Sequence, residues 1–222
     1  MSRRATVSQQ APGFLRPNAA GRFPAGKTAG KVLLMPGAEV PLLSVALPGG
    51  LQGQAREQVA WRQLKDQIGL TPESSEMRPF GGDKGGEWSR ALVVDAAQMQ
   101  EWRQRAGGDC RALLPDYLAL PASADLWVLD ASETDLRVRL GLVDGFTAEM
   151  ALAQLMLTRL LHQNQALPKA VLLLGGDLPW LEGLLTAAAV PLVREAKAVA
   201  DFGLRAPEIL AHGEMAADLR ID

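Results

Sequence analysis

The strongest constraint on folding lies in the second half of the chain, in the order of its apolar runs. Leu126 to Leu129 reads as a strand, and Asp135 to Leu140 as another, with Leu136, Val138 and Leu140 alternating against Arg137 and Arg139. Leu142 to Phe146 reads as a third, short strand. Thr147 can cap a long apolar helix running to about Gln163. Ala170 to Leu174 is a buried strand closed by Gly175-Gly176. Pro179 opens a helix to about Ala189, with Asp177 near its N-terminus, and Val190 to Val193 is a last strand. Three meandering strands, then helix and strand in alternation, require a mixed sheet with helical crossovers.

The first half repeats this order less regularly. Residues 31–35 form a short apolar run stopped by Pro36-Gly37, and Val40 to Leu47 reads as a strand. Gln54 to Ile68 reads as a helix with Ala60, Trp61, Leu64 and Ile68 on one face and Gly69 just past its end. Met77 to Phe80 and Trp88 to Val94 read as strands flanking a glycine-rich loop over 81–86. Asp95 can cap a helix that presents Met99, Trp102 and Ala106 to one side. The second half has the ribonuclease-H-like order. Two such units in tandem predict an α/β fold of the actin/hexokinase/Hsp70 type. The expected division is a loose basic arm over 1–30, a first lobe over 31–121 and a second lobe over 122–222.

The chain has 222 residues, 48% hydrophobic and 22% charged, as a soluble globular protein would. Its net charge of -2 gives no global pointer to nucleic acid. Locally, Arg3, Arg4, Arg16, Arg22, Lys27 and Lys31 all precede the first acid, Glu39. Such a run is a solvated arm or one that touches anionic lipid. It has no apolar h-region, so it is no secretory signal, though its composition also resembles a transit peptide. Cys110 is the only cysteine, which excludes an internal disulfide and fits a reducing compartment. His162 and His212 are far apart without ligand-spaced neighbours, so no metal site is expected. No run approaches the ~20 apolar residues of a bilayer span.

Residues Gly21 to Thr28, GRFPAGKT, match the phosphate-loop pattern. A working loop of that kind follows a strand and opens a helix. Here Pro12, Gly13 and Pro17 precede it, and the apolar run at 32–35 follows. Both flanks are wrong, and the stretch reads as an exposed basic loop.

The fold class nevertheless places a nucleotide between two glycine-containing phosphate turns and a later glycine pair. Gly175 and Gly176 sit where that pair is expected. The second phosphate turn falls at Leu129 to Thr134, with Asp130 in place but Ala131 at the glycine position and Glu133 adding negative charge. The first turn has no counterpart. Asp130, Gly175 and Gly176 are therefore degenerate cofactor-site candidates; no bound cofactor and no catalytic residue is expected. Asp116 and Asp130 are conceivable as a carboxylate pair, but no spacing brings them together.

Arg111 to Pro121, with its Leu-Leu-Pro-Asp-x-Leu-x-Leu-Pro core, resembles the cytoplasmic domain of general secretion pathway protein L, from the bacterial type II secretion system. Met35 to Val40, Leu47-Pro48, Trp88 to Trp102 and, loosely, Ile209 to Ala216 resemble further segments of that family. The resemblance implies a non-enzymatic adaptor at the cytoplasmic face of the inner membrane. It implies binding to the N-terminal domain of the secretion ATPase, protein E, pairing with platform protein M, and self-association. It also implies a membrane helix absent from this chain. The alternative is an enzyme, an actin-like ATPase or sugar-kinase relative with a live nucleotide site.

Overall fold

The structure, a computed structural model, describes residues 13–18, 20–24, 26–81, 88–163, 167–202 and 218–220. Arg3, Arg4, most of the 81–86 loop, His212 and the Ile209 to Ala216 stretch lie outside the described residues.

The second half forms one five-stranded sheet from β7 (Leu126–Ala131), β8 (Asp135–Leu140), β9 (Asp144–Glu149), β10 (Ala170–Leu173) and β11 (Leu192–Val193). Its order is β11-β10-β7-β8-β9, with β11, β10 and β7 parallel and β7, β8 and β9 antiparallel. Helices α3 (Met150–Gln163) and α4 (Pro179–Ala187) make the crossovers. The element order is the one the sequence predicts. Strands β7 and β10 are buried along most of their length, as parallel strands covered on both faces must be.

The first half uses two smaller sheets. Strands β1 (Phe14–Leu15), β2 (Val32–Met35) and β6 (Ala112–Pro115) are parallel, in the order β1-β2-β6. Strands β3 (Leu42–Ser44), β4 (Ser75–Phe80) and β5 (Arg90–Asp95) are antiparallel, in the order β3-β5-β4. Helix α1 (Gly53–Ile68) ends on Gly69 at φ 71°, the left-handed cap that glycine adopts without penalty. Helix α2 (Ala96–Ala106) starts on Asp95, whose side chain accepts from Gln98 N at 2.9 Å. Met99, Trp102 and Ala106 are buried as expected.

Several expectations need correction. The third strand of the meander is Asp144–Glu149, because Leu142 and Val143 occupy the preceding turn and are exposed. Thr147 therefore lies inside a strand and caps nothing. On α1 the buried set is Arg56, Ala60 and Leu64, while Ile68 is exposed. Arg56 is tolerated because its guanidinium donates to the Trp88, Pro48 and Leu51 carbonyls. Arg139, on the polar side of β8, is fully buried, with its guanidinium 5.4 Å from the Phe80 ring centre. That side of β8 faces the first half of the chain and not water.

Candidate functional site

The GRFPAGKT stretch lies between β1 and β2, in a strand–loop–strand arrangement. Lys27 is exposed, and no helix follows to present amides to a phosphate. Phe23 within it packs edge-on against Trp102, with ring centres 5.9 Å apart. The loop covers α2 and binds by its aromatic ring, not by its lysine.

The degenerate candidates do come together. Strand β10 runs parallel to β7, so the turn after β10 lies over the end of β7. Ala131 N donates to Gly175 O at 3.2 Å. A Cβ on Gly175 would stand 2.8 Å from Asp130 Oδ1, and one on Gly176 would stand 2.6 Å from the Ala131 Cβ. Gly176, not Gly175, has the positive φ, at 76°.

Beside this turn is a cleft of about 290 Å³. One wall is the segment Arg16 to Asn18 with Leu34 to Pro36, and Asp116 forms its floor with Thr147. The β7–β8 hairpin contributes Ser132, Asp135 and Arg137. Arg137 faces Asp130 across the hairpin and holds its Oδ2 at 2.7 Å, while Arg16 Nη2 stands 3.8 Å from the same oxygen. Asp116 Oδ1 accepts from Gly37 N at 3.0 Å and from Thr147 Oγ1 at 2.6 Å.

Asp116 and Asp130 therefore reach one charged cluster, separated by two arginines. Burial raises the Asp116 pKa above its ordinary 3.8, against the pull of Thr147, Arg137, Gly37 N and Arg16. Burial also lowers that of Arg16, with the Arg137 charge acting in the same direction. Across Arg16, Arg137, Asp116, Asp130 and Asp135, two cations face three carboxylates.

Several of the hairpin's own donors are paired within it. Ser132 N donates to Asp135 O at 2.8 Å, Asp135 N to Ser132 Oγ at 2.9 Å, and Thr134 Oγ1 to Asp135 Oδ2 at 2.6 Å. On the opposite wall, Gly37 N is given to Asp116. The Ser132, Asp135 and Gly37 amides are thus already paired with oxygens of the chain itself. Among the described residues no group of three or more His, Cys, Asp or Glu could hold a metal ion. Cys110 is buried, and His162 is exposed at the end of α3.

Sequence reasoning missed Arg137, Thr147 and Gly37 as parts of this cleft, and saw Arg16 only as one charge of an arm. Arg137 was within reach: folding a hairpin about residues 132–134 sets it opposite Asp130. The roles of Gly37 and Thr147 depend on long-range packing and leave no local signal.

A family model described as type II secretion system protein L matches residues 24–183, well over half of the chain. Among solved structures, one similar chain is described as the cytoplasmic domain of EpsL, an inner-membrane component of the type II secretion system of Vibrio cholerae. It is 19% identical, with a TM-score of 0.51, over 72% of this chain and 74% of that one. Another is described as a PilM-PilN type IV pilus biogenesis complex, 15% identical with a TM-score of 0.50, over 88% of this chain and 81% of that one. A search of curated proteins found no match. These likenesses give the fold as actin-like.

Proposed function

The chain belongs to the type II secretion system protein L family, and on that premise we propose that it is a non-enzymatic dock. In this reading it holds the secretion ATPase, protein E, at the cytoplasmic face of the inner membrane through that enzyme's N-terminal domain. It also meets platform protein M and a second copy of itself.

The observation that carries the reading is the state of the cleft. In an actin-like fold this is where a nucleotide would be held. Here Asp130 is paired with Arg137 and approached by Arg16, and the Ser132 and Asp135 amides are bonded within the chain. Ala131 fills the space a phosphate-turn glycine would leave open, against Gly176. A phosphate entering here would have to break those bonds and approach three carboxylates. Each internal pair lost in a partly buried site costs about 1–3 kcal/mol. With no ligand chemistry to perform, the two-part fold is free to serve as a rigid binding surface.

The test is a calorimetric titration of the full chain with the N-terminal domain of the cognate ATPase. Saturable binding is expected, and no heat at tens of micromolar with both proteins folded would remove the reading. A parallel thermal melt with Mg-ATP separates the enzyme alternative. A true ligand at one hundred times its dissociation constant adds about 2.7 kcal/mol, whereas the cleft described above predicts no shift.

A further inference from the structure

The floor of the cleft carries a carboxylate that the chain leaves half satisfied. Asp116 Oδ1 takes both hydrogen bonds, from Gly37 N and Thr147 Oγ1. Among the described residues Oδ2 accepts none, and Asp116 stands in no direct ion pair. Oδ2 is not sealed in protein either, which leaves it facing the cleft that Asp116 lines. A carboxylate this far from bulk water is ordinarily paired or fully hydrogen-bonded. Asp135, on the hairpin wall, is in a similar state: Oδ2 accepts from Thr134 Oγ1, and Oδ1 has no partner among the described residues. The arginines of the cleft do not complete either group. Arg137 Nη2 is committed to Asp130 Oδ2 at 2.7 Å. Arg16 Nη2 stands 3.8 Å from that same oxygen, beyond hydrogen-bonding range, and its side chain is 45% exposed. Arg16 is thus a loosely held side chain, free to swing aside.

We propose that the cleft is a binding site for an organic cation, a primary ammonium or guanidinium on an aliphatic stem, whose N–H groups bond Asp116 Oδ2 under the added negative charge of Asp135. The charge balance selects the sign. Three carboxylates face two arginines, so one further positive charge makes the cluster neutral, whereas an anion would deepen the excess. Burial is the largest influence on the Asp116 carboxyl and acts against its charged form. A cation at Oδ2 offsets that cost through a charge-assisted hydrogen bond. The walls select the stem. Pro17, Leu34, Met35, Pro36 and Ala38 line the cleft with carbon, which suits the methylene chain of a lysine- or arginine-like group. A bare metal ion gains nothing from such a wall, and among the described residues no group of three or more ligands could hold one. The volume of about 290 Å³ lies at the bottom of the range for small-molecule sites and suits a group of side-chain size. A free amine or guanidine and a lysine or arginine side chain of another protein offer the same chemistry.

This site goes beyond the docking reading and stands without it: cation binding that persists when the ATPase domain fails to bind would remove the dock and leave the site. The test is an NMR titration of the full chain with n-butylguanidinium and n-butylammonium at constant ionic strength. The uncharged match is n-butanol, and thermal melts confirm that every variant folds. Saturable shifts of the Gly37 and Thr147 amides are expected with both cations and none with n-butanol. Asp116→Asn should weaken binding by about tenfold or more. Arg16→Ala changes an exposed side chain and removes a competing cation, so it should tighten binding. If Asp116→Asn does not fold, Asp135→Asn takes its place and should also weaken binding. A capped pentapeptide of glycines around one arginine separates the sources. Tighter binding than n-butylguanidinium assigns the site to a protein side chain, and equal or weaker binding assigns it to a free small cation. No saturable shift with either cation, an equal response to n-butanol, an aspartate variant of unchanged affinity, or an Arg16→Ala variant that binds less well would overturn the assignment.

Discussion

Thr147 Oγ1 donates to Asp116 Oδ1 at 2.6 Å across 31 residues of sequence. The same oxygen accepts from Gly37 N at 3.0 Å. One carboxylate oxygen thus ties a turn of the first half to the central meander of the second. A bond between a hydroxyl and a partly buried charge contributes about 1.5–3 kcal/mol, because its loss leaves the charge under-solvated. Thr147→Val keeps the shape and removes the hydroxyl. It should lower stability by an amount in that range, read as a shift in the midpoint of urea unfolding at unchanged slope. A shift within error would show that water replaces the hydroxyl at no cost.

The same carboxyl gives a pH dependence with a definite sign. Burial raises the pKa of Asp116 in the folded state above 3.8. Between the unfolded and folded values the folded protein binds more protons than the unfolded one. Stability from this group therefore falls as pH rises upward from about 4, and the loss is complete above the folded pKa. Asp116→Asn retains an oxygen acceptor for Gly37 N and Thr147 and removes the titration. The stability difference between wild type and variant should move against the wild type over that window and level off at higher pH. A difference that is flat, or that moves the other way, would mean that Arg16 and Arg137 outweigh burial.

Much of this was legible in the sequence, and what was not has physical causes. The order from β7 to β11 follows from apolar runs and glycine or proline stops, which are local. The boundary of β9 was misplaced because Leu142 and Val143 are apolar yet sit exposed in a turn. Nothing in the sequence marks Arg139 and Arg56 as buried, since a charge in sequence carries no sign of the carbonyls and rings that surround it. Asp130 and the glycine pair, which pattern marks as candidates, come together in the turn beside the cleft. The arginines beside Asp130 come from a hairpin partner and from the segment just after β1, 114 residues earlier (Arg16 to Asp130), and the second of these is beyond any window.

The glycine pair separates into two unequal positions. Gly176 has φ 76°, a region that costs a residue with a side chain about 1–2 kcal/mol. Its Cβ would also stand 2.6 Å from the Cβ of Ala131, which sits on a sheet strand and cannot withdraw. Gly175 has no such φ, and its Cβ would press on Asp130 Oδ1 at 2.8 Å, the end of a side chain that can rotate by giving up Arg137. Gly176→Ala should therefore destabilise more than Gly175→Ala in thermal melts. The Gly175 variant should also weaken the Asp130–Arg137 pair, visible as a loss of salt dependence. The reverse ranking would show that the turn is free to move away from β7.

The last described residues bind back onto the first half of the chain. Leu219 is 1% exposed, within the core formed by β2, β6 and α2. Its N–H donates to Leu113 O at 3.0 Å, and Leu113 N donates to Asp218 Oδ1 at 2.9 Å, so the tail extends the pairing of β6. Arg103 Nε donates to Leu219 O at 3.0 Å, and Arg220 clamps Asp218 through its guanidinium. A leucine buried to this degree costs about 2–5 kcal/mol when cut to alanine, through lost transfer energy and the cavity left behind. A first half closed by residues that follow the second half should unfold together with it, so Leu219→Ala is expected to lower the stability of the whole chain and not to loosen residues 218–220 alone. Hydrogen exchange distinguishes these cases. Faster exchange at the Leu113 and Leu34 amides, on β6 and β2, is the expected result. Faster exchange confined to residues 218–220, with the β6 amides still protected, would show that the tail packs on a core already complete without it.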